Sequence, residues 1–203
     1  MARIALIGAT GNVGTRILNE HVSRNHQVTA IVRDPAKIPA REGVTAARGD
    51  VADPAGLAAV LQGHDAVISA VRFLDSDPAA LIDAVRASGV KRYLAVGGAA
   101  SLFVAPGKRL LDQPDFPAAY KAEATAGAAF LDALRGVDDL DWTFLSPSAL
   151  FVPGERTGKF RLAKDDLLVS EKGSTISYED YAVALVDEIE KPAHVRERFT
   201  VGY

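Results

Sequence analysis

A short apolar run, Arg3-Ile4-Ala5-Leu6-Ile7, ends in three glycines at positions 8, 11 and 14. That spacing, between a strand and a helix, leaves few folds open. Gly8 permits a tight turn, Gly11 lets a phosphate approach the backbone, and Gly14 lets the helix pack closely on the strand. A helix N-terminus behind such a turn supplies unpaired N–H groups to an anion. The segment Gly8-Ala9-Thr10-Gly11-Asn12-Val13-Gly14 is therefore a candidate pyrophosphate cradle. Glycines also mark ordinary turns, so the pattern needs support from the rest of the chain.

The support is a regular alternation. Apolar runs at 27–32, 44–49, 66–71, 91–96 and 141–145 predict strands. Between them, helices are predicted at 13–24, 53–61, 78–88 and 118–135, and residues 99–117, rich in proline, read as a loop. A βα period of about 20–30 residues requires parallel strands joined by right-handed crossovers. The expected fold class is α/β, a doubly wound parallel (Rossmann) sheet in the order 3-2-1-4-5-6. After residue 150 the rhythm changes. Strands are expected at 159–162, 167–170 and 198–201, with a helix at 178–190 opened by a capping box, Ser177-Tyr178-Glu179-Asp180. Residues 1–203 form one dinucleotide-binding domain in this reading, and 150–203 are a small appendage over the substrate side.

Composition narrows the chemistry. The 203 residues carry a formal net charge of −3, which disfavours a nucleic-acid surface, and there is no cysteine for disulfides or thiol catalysis. No apolar run reaches the roughly 18 residues of a membrane span, and the N-terminus reads as a strand rather than a signal peptide. A cytoplasmic protein is expected, a monomer or small homo-oligomer. His21, His26, His64 and His194 are scattered and expected to face solvent, and no metal site is expected.

Further candidates lie at strand ends. Arg33 follows the second strand, where a guanidinium can pair with a ribose 2′-phosphate, with Lys37 assisting. Asp34, one position later, is the competing ligand for an unphosphorylated ribose. Asp50 ends the third strand and can accept from an adenine amino group, with Val51 against the ring. Ser69-Ala70-Val71 are small enough to let a dinucleotide pass close to the sheet, though core packing explains them equally. Gly97-Gly98 implies close backbone approach or a sharp turn. Ser101 is the nearest hydroxyl for a substrate carbonyl, or simply a loop hydrogen bond. Tyr120 is the other catalytic candidate, but a Tyr-x-x-x-Lys proton relay is absent because position 124 is alanine.

Together Gly8–Gly14, Val32-Arg33-Asp34-Pro35, Gly49-Asp50-Val51, Asp65–Ser69 and Gly97–Leu102 resemble the atypical short-chain dehydrogenases with NmrA-like domains. Pro153–Gly158 and Ile176–Ala182 narrow the likeness to a bacterial group labelled NADH-flavin reductase or NAD-dependent epimerase/dehydratase. That group is similar to biliverdin reductase B. The resemblance covers the chain and implies NADP(H) in preference to NAD(H). It implies hydride transfer to a small-molecule electron acceptor, with flavin as substrate rather than prosthetic group. It places Pro147 beside the nicotinamide. The family's serine at the end of the fifth strand is Gly98 here, and a histidine two positions after the proline is Ala149. The acceptor is expected on an apolar platform of Gly97, Gly98, Leu102, Phe103, Pro147 and Phe151. A non-catalytic dinucleotide sensor is the alternative; an epimerase or dehydratase is disfavoured by the missing Tyr–Lys pair.

Overall fold

The computed structural model describes residues 1–203. The first half alternates as β1 (Arg3–Ile7), α1 (Asn12–Ser23), β2 (Gln27–Val32), β3 (Val44–Arg48), α2 (Pro54–Leu61), β4 (Ala66–Ser69), α3 (Pro78–Ser88) and β5 (Arg92–Val96). A small hairpin, β6 (Phe103–Ala105) and β7 (Lys108–Arg109), precedes α4 (Lys121–Arg135) and β8 (Asp141–Ser146). The tail adds β9 (Leu150–Val152), β10 (Arg161–Ala163), β11 (Thr175–Ser177), α5 (Tyr178–Glu190) and β12 (Glu197–Gly202).

The central sheet runs β10-β12-β8-β5-β4-β1-β2-β3, parallel throughout except for antiparallel β10. From β3 to β8 this is the expected 3-2-1-4-5-6 order. The tail goes further than a cover: β12 pairs parallel with β8, and β10 follows it at the sheet edge. Only the short β9–β11 pair stands apart, joining Leu150–Val152 to Thr175–Ser177.

Both faces of the sheet are buried, so strands are apolar at successive positions. In β1, Ala5 and Ile7 enter the core shared with α2, α3 and α4, while Ile4 and Leu6 enter the core shared with α1 and α5. Each fully buried Ile or Leu there contributes about 1.5–3 kcal/mol by leaving water. Asp53 and Asp77 cap α2 and α3, each with proline in the first turn, as the sequence signals require.

Four details differ from expectation. Residues 99–117 hold the β6–β7 hairpin and a 3-10 turn, and residues 118–120 form another 3-10 turn before α4 begins at Lys121. No strand forms at 167–170. The capping box is half made: Ser177 Oγ accepts from the Asp180 N–H at 2.9 Å, but the buried Asp180 carboxylate accepts from Thr157, Gly158 and the Tyr203 hydroxyl instead. Those bonds tie Tyr203 and the Thr157-Gly158 turn to the start of α5.

The fourth difference concerns the histidines, which do not face solvent. His21 and His26 are buried, because α5 packs over α1 and closes its outer face. His26 Nε2 bonds Glu190 at 3.0 Å. His64 donates from Nδ1 to the Leu61 carbonyl and accepts the Thr29 hydroxyl at Nε2. His194 bonds Glu188 at 2.8 Å and stacks on Phe199. His21 alone has no partner at either ring nitrogen.

That isolation has a pH consequence. Burial, followed by repulsion from His26, lowers the His21 pKa to about 3. In the unfolded chain it titrates near 6.5. Between those values the unfolded state binds more protons, so stability falls as pH drops through this window. At pH 5 the loss is about 2 kcal/mol. Thermal melts at pH 7 and pH 5 should show it, and His21→Leu should remove most of the difference. An unchanged difference in the variant would refute the assignment to His21.

Candidate functional site

The glycine turn behaves as a cradle. Gly8 has φ +82°, a conformation that side chains resist, and a Cβ on it would stand 2.5 Å from the Ala70 carbonyl oxygen. A Cβ on Gly14 would stand 2.1 Å from the Gly8 carbonyl oxygen. Thus β1, β4 and α1 approach one another only because neither residue has a side chain. The Gly11 N–H closes the turn on the Gly8 carbonyl at 3.1 Å. The start of α1 has no acidic residue in its first turn and no capping side chain, whereas α2, α3 and α5 are capped by Asp53, Asp77 and Ser177. A helix start left open in this way suits an anion.

From the turn a cleft of about 210 Å³ runs along the carboxyl ends of β1, β2 and β4. It brings together Gly8, Thr10, Gly11, Arg33, Asp50, Val51, Ala70 and Val71 among the predicted residues. Arg33 is exposed and makes no ion pair or hydrogen bond within the chain. Asp34, by contrast, accepts the Ala36 N–H at 3.2 Å and caps the turn at Pro35–Lys37. Asp50 is exposed and accepts the Ala52 N–H at 3.0 Å. Thr10 and Asn12 are exposed at the turn, Val13 is half-buried, and Ala9 lies in the core.

Other predicted residues point elsewhere. The Ser69 hydroxyl bonds the Tyr93 hydroxyl at 2.8 Å inside the core, where burial pushes the Tyr93 phenol well above its ordinary pKa. Gly97 is required by packing, since a Cβ would stand 2.4 Å from the Phe144 ring. Its N–H is shared by the Leu145 carbonyl and the Tyr181 hydroxyl, and that hydroxyl donates to Leu145 at 2.6 Å. Pro147 is buried directly after β8.

A second cavity, of about 410 Å³, opens where the chain leaves β5. Gly98 and Ser101 line it on one side, and Tyr120 on the other. Tyr120 is 67% exposed, and Ala124 occupies the place of the missing lysine in the same wall. Of the expected platform, only Gly98 lines this space. Leu102 is fully buried, and Phe151 packs between Tyr178 and Tyr181. The large buried or half-buried apolar side chains of the lining are Phe73, Leu110 and Phe116. These lie in irregular segments, where no periodicity marks a residue as inward; two aromatics in loops flanking apolar strands were the available signal.

Consecutive residues line the two spaces. Arg72 lines the cleft and the next residue, Phe73, lines the cavity. Glu123 from the first turn of α4 holds this junction, accepting the Phe73 N–H at 2.7 Å and the Leu74 N–H at 3.2 Å. The Phe73 ring is set by Phe144 and Phe130 behind it.

A family model described as NAD(P)H-binding matches residues 8–192. The chain belongs to this family. The uncapped start of α1 offers N–H donors of the kind that the phosphates of such a ligand accept from. The Bacillus subtilis protein YwnB, uncharacterized, is 41% identical over 98% of this chain and 97% of its own length. A solved Bacteroides thetaiotaomicron structure, provisionally named an epimerase, is 44% identical with a TM-score of 0.95, covering 100% of this chain and 97% of that one. A Streptococcus pneumoniae structure, provisionally named an NADH-flavin reductase, is 40% identical with a TM-score of 0.87, covering 100% and 99%. The family and its fold are those of NAD(P)-binding oxidoreductases. No helix is long and apolar enough to cross a membrane.

Proposed function

We propose that this protein is an NADPH-dependent reductase that passes hydride to a planar organic acceptor such as a flavin. The observation that carries the reading is that consecutive residues, Arg72 and Phe73, line the cleft and the cavity. In this reading the cradle at residues 8–14 holds the pyrophosphate, Arg33 pairs with the 2′-phosphate, and the adenosine lies near Asp50 and Val51. The bound dinucleotide would supply the hydride. The cavity would supply orientation and dryness, through Phe73, Leu110 and Phe116. A flavin takes hydride at a ring nitrogen and a proton from water, so no strong protein acid is needed.

Two features weigh against an epimerase or dehydratase. Tyr120 has no lysine one turn away, and its ring lies largely in solvent. The name of the Streptococcus pneumoniae relative agrees with a flavin acceptor; that of the Bacteroides thetaiotaomicron relative does not.

Purified protein mixed with NADPH and riboflavin or flavin mononucleotide should consume NADPH well above the uncatalysed rate, followed at the nicotinamide absorbance. The charged residue types lining the cavity are both acidic, Asp115 and Glu123. Riboflavin should therefore show a lower KM than its phosphorylated form. No turnover with any planar acceptor, while NADPH still binds, would replace this reading with that of a sensor.

A further inference from the structure

Arg198 lies on β12, outside the residues that line the cleft and the cavity, and its side chain is only 2% exposed. A buried guanidinium needs its donors satisfied. Nε donates to Asp165 Oδ1 at 2.7 Å, and Nη2 lies 2.5 Å from the same oxygen. Nη1 donates to the hydroxyl oxygens of Ser101 at 3.3 Å and Ser146 at 3.4 Å, and Nη2 to the Ser101 carbonyl at 3.4 Å. Two of these contacts converge on one residue, and Ser101 lines the 410 Å³ cavity.

The hydroxyl of Ser101 has one proton and two lone pairs. Arginine cannot accept, so the proton must point away from Arg198. No other group in the chain lies within hydrogen-bond distance to accept it, and Ser101 lines the cavity. We propose that Arg198 is a positioning residue that holds the Ser101 hydroxyl as a hydrogen-bond donor to a carbonyl oxygen or ring nitrogen of the planar acceptor. The inference rests on the reductase reading and adds a chemical requirement to it: the acceptor carries a heteroatom on which negative charge grows as hydride arrives. A donor already polarised by a neighbouring cation stabilises that charge better than an isolated hydroxyl. Serine keeps its proton throughout; the proton that completes reduction comes from water.

A purely structural arginine, tying β12 to the 101 and 165 segments, would leave a different signature. The test is a double-mutant cycle on the full-length protein with Ser101→Ala, Arg198→Lys and the pair, the lysine keeping a charge for Asp165. Each single variant should lower kcat/KM for riboflavin reduction by about tenfold. The pair should fall no further than Ser101→Ala alone, and Ser101→Thr should recover most activity. Melting temperatures report the structural share separately. Additive losses in kcat/KM would overturn the relay. Quenching of riboflavin fluorescence gives the same cycle without turnover. Non-additive weakening of riboflavin binding with no NADPH oxidation would sustain the Arg198–Ser101 pair and sink the reductase reading. Turnover with an additive cycle would do the reverse, and no riboflavin binding by the parent protein would overturn both.

Discussion

Gly14→Ala should bind NADPH at least about a hundredfold more weakly than the parent protein, a loss near 3 kcal/mol, while remaining folded. The reason is local. The added Cβ would sit 2.1 Å from the Gly8 carbonyl oxygen, with Ala9 Cα at 3.2 Å. Backbone stands on both sides, so no flexible side chain can yield. The start of α1 must move away from β1, and the N–H groups that face the cleft move with it. Overpacking of this kind costs stability as well, about 1–3 kcal/mol. A second glycine separates the two effects. Gly63 has φ +77°, and a Cβ added there would meet nothing within 4 Å. Gly63→Ala should cost about 1–2 kcal/mol from the left-handed backbone alone, with NADPH affinity unchanged. Thermal melts and NADPH fluorescence titrations on both variants decide the matter. If Gly14→Ala binds within twofold of the parent, the cradle is not where the dinucleotide is held.

The frame of this site was readable in the chain. Runs such as Ile4–Ile7 and Val67–Ile68 are apolar at successive residues because both faces of a parallel sheet are covered. Asp53-Pro54 and Asp77-Pro78 mark helix starts by a mechanism that acts within one turn. Such signals are local, and they placed the ends of β1, β2 and β4, where the cleft lies. What depends on long-range packing was not readable. His21 lies under α5, a helix more than 150 residues later, and nothing near it in sequence announces that cover. The pairing of β12 with β8 and of β10 with β12 is equally remote from any turn signal. The second cavity was hidden for another reason. Phe73, Leu110 and Phe116 sit in 3-10 turns and irregular backbone, which have no period to read. Arg198 was unremarkable as a strand residue; only its burial against Ser101 makes it informative.

Arg33→Ala should weaken NADPH selectively, by about 1.5–3 kcal/mol for a lost charge-assisted hydrogen bond, and leave NADH almost untouched. The folded protein has little reason to notice the change, because Arg33 is exposed and has no partner in the chain. Its neighbours make the test sharp. Asp34 is occupied in capping the Pro35–Lys37 turn, so it is a poorer candidate for a ribose 2′-hydroxyl than its position suggests. If it held the ribose all the same, Asp34→Ala would weaken NADH and spare NADPH. Arg72 is the other guanidinium lining the cleft, and it has a partner: its Nη2 lies 3.7 Å from Glu123. A 2′-phosphate on Arg72 would have to compete with that carboxylate, whereas Arg33 gives up nothing but water. Arg72→Ala should therefore cost NADPH less than Arg33→Ala does. Raising the salt concentration should shrink the Arg33 effect, because the pair is solvent-exposed and screened. Titration of both cofactors against the three variants separates the possibilities. An equal loss of NADPH and NADH in Arg33→Ala would remove it from the 2′-phosphate and leave the choice of dinucleotide to another part of the cleft.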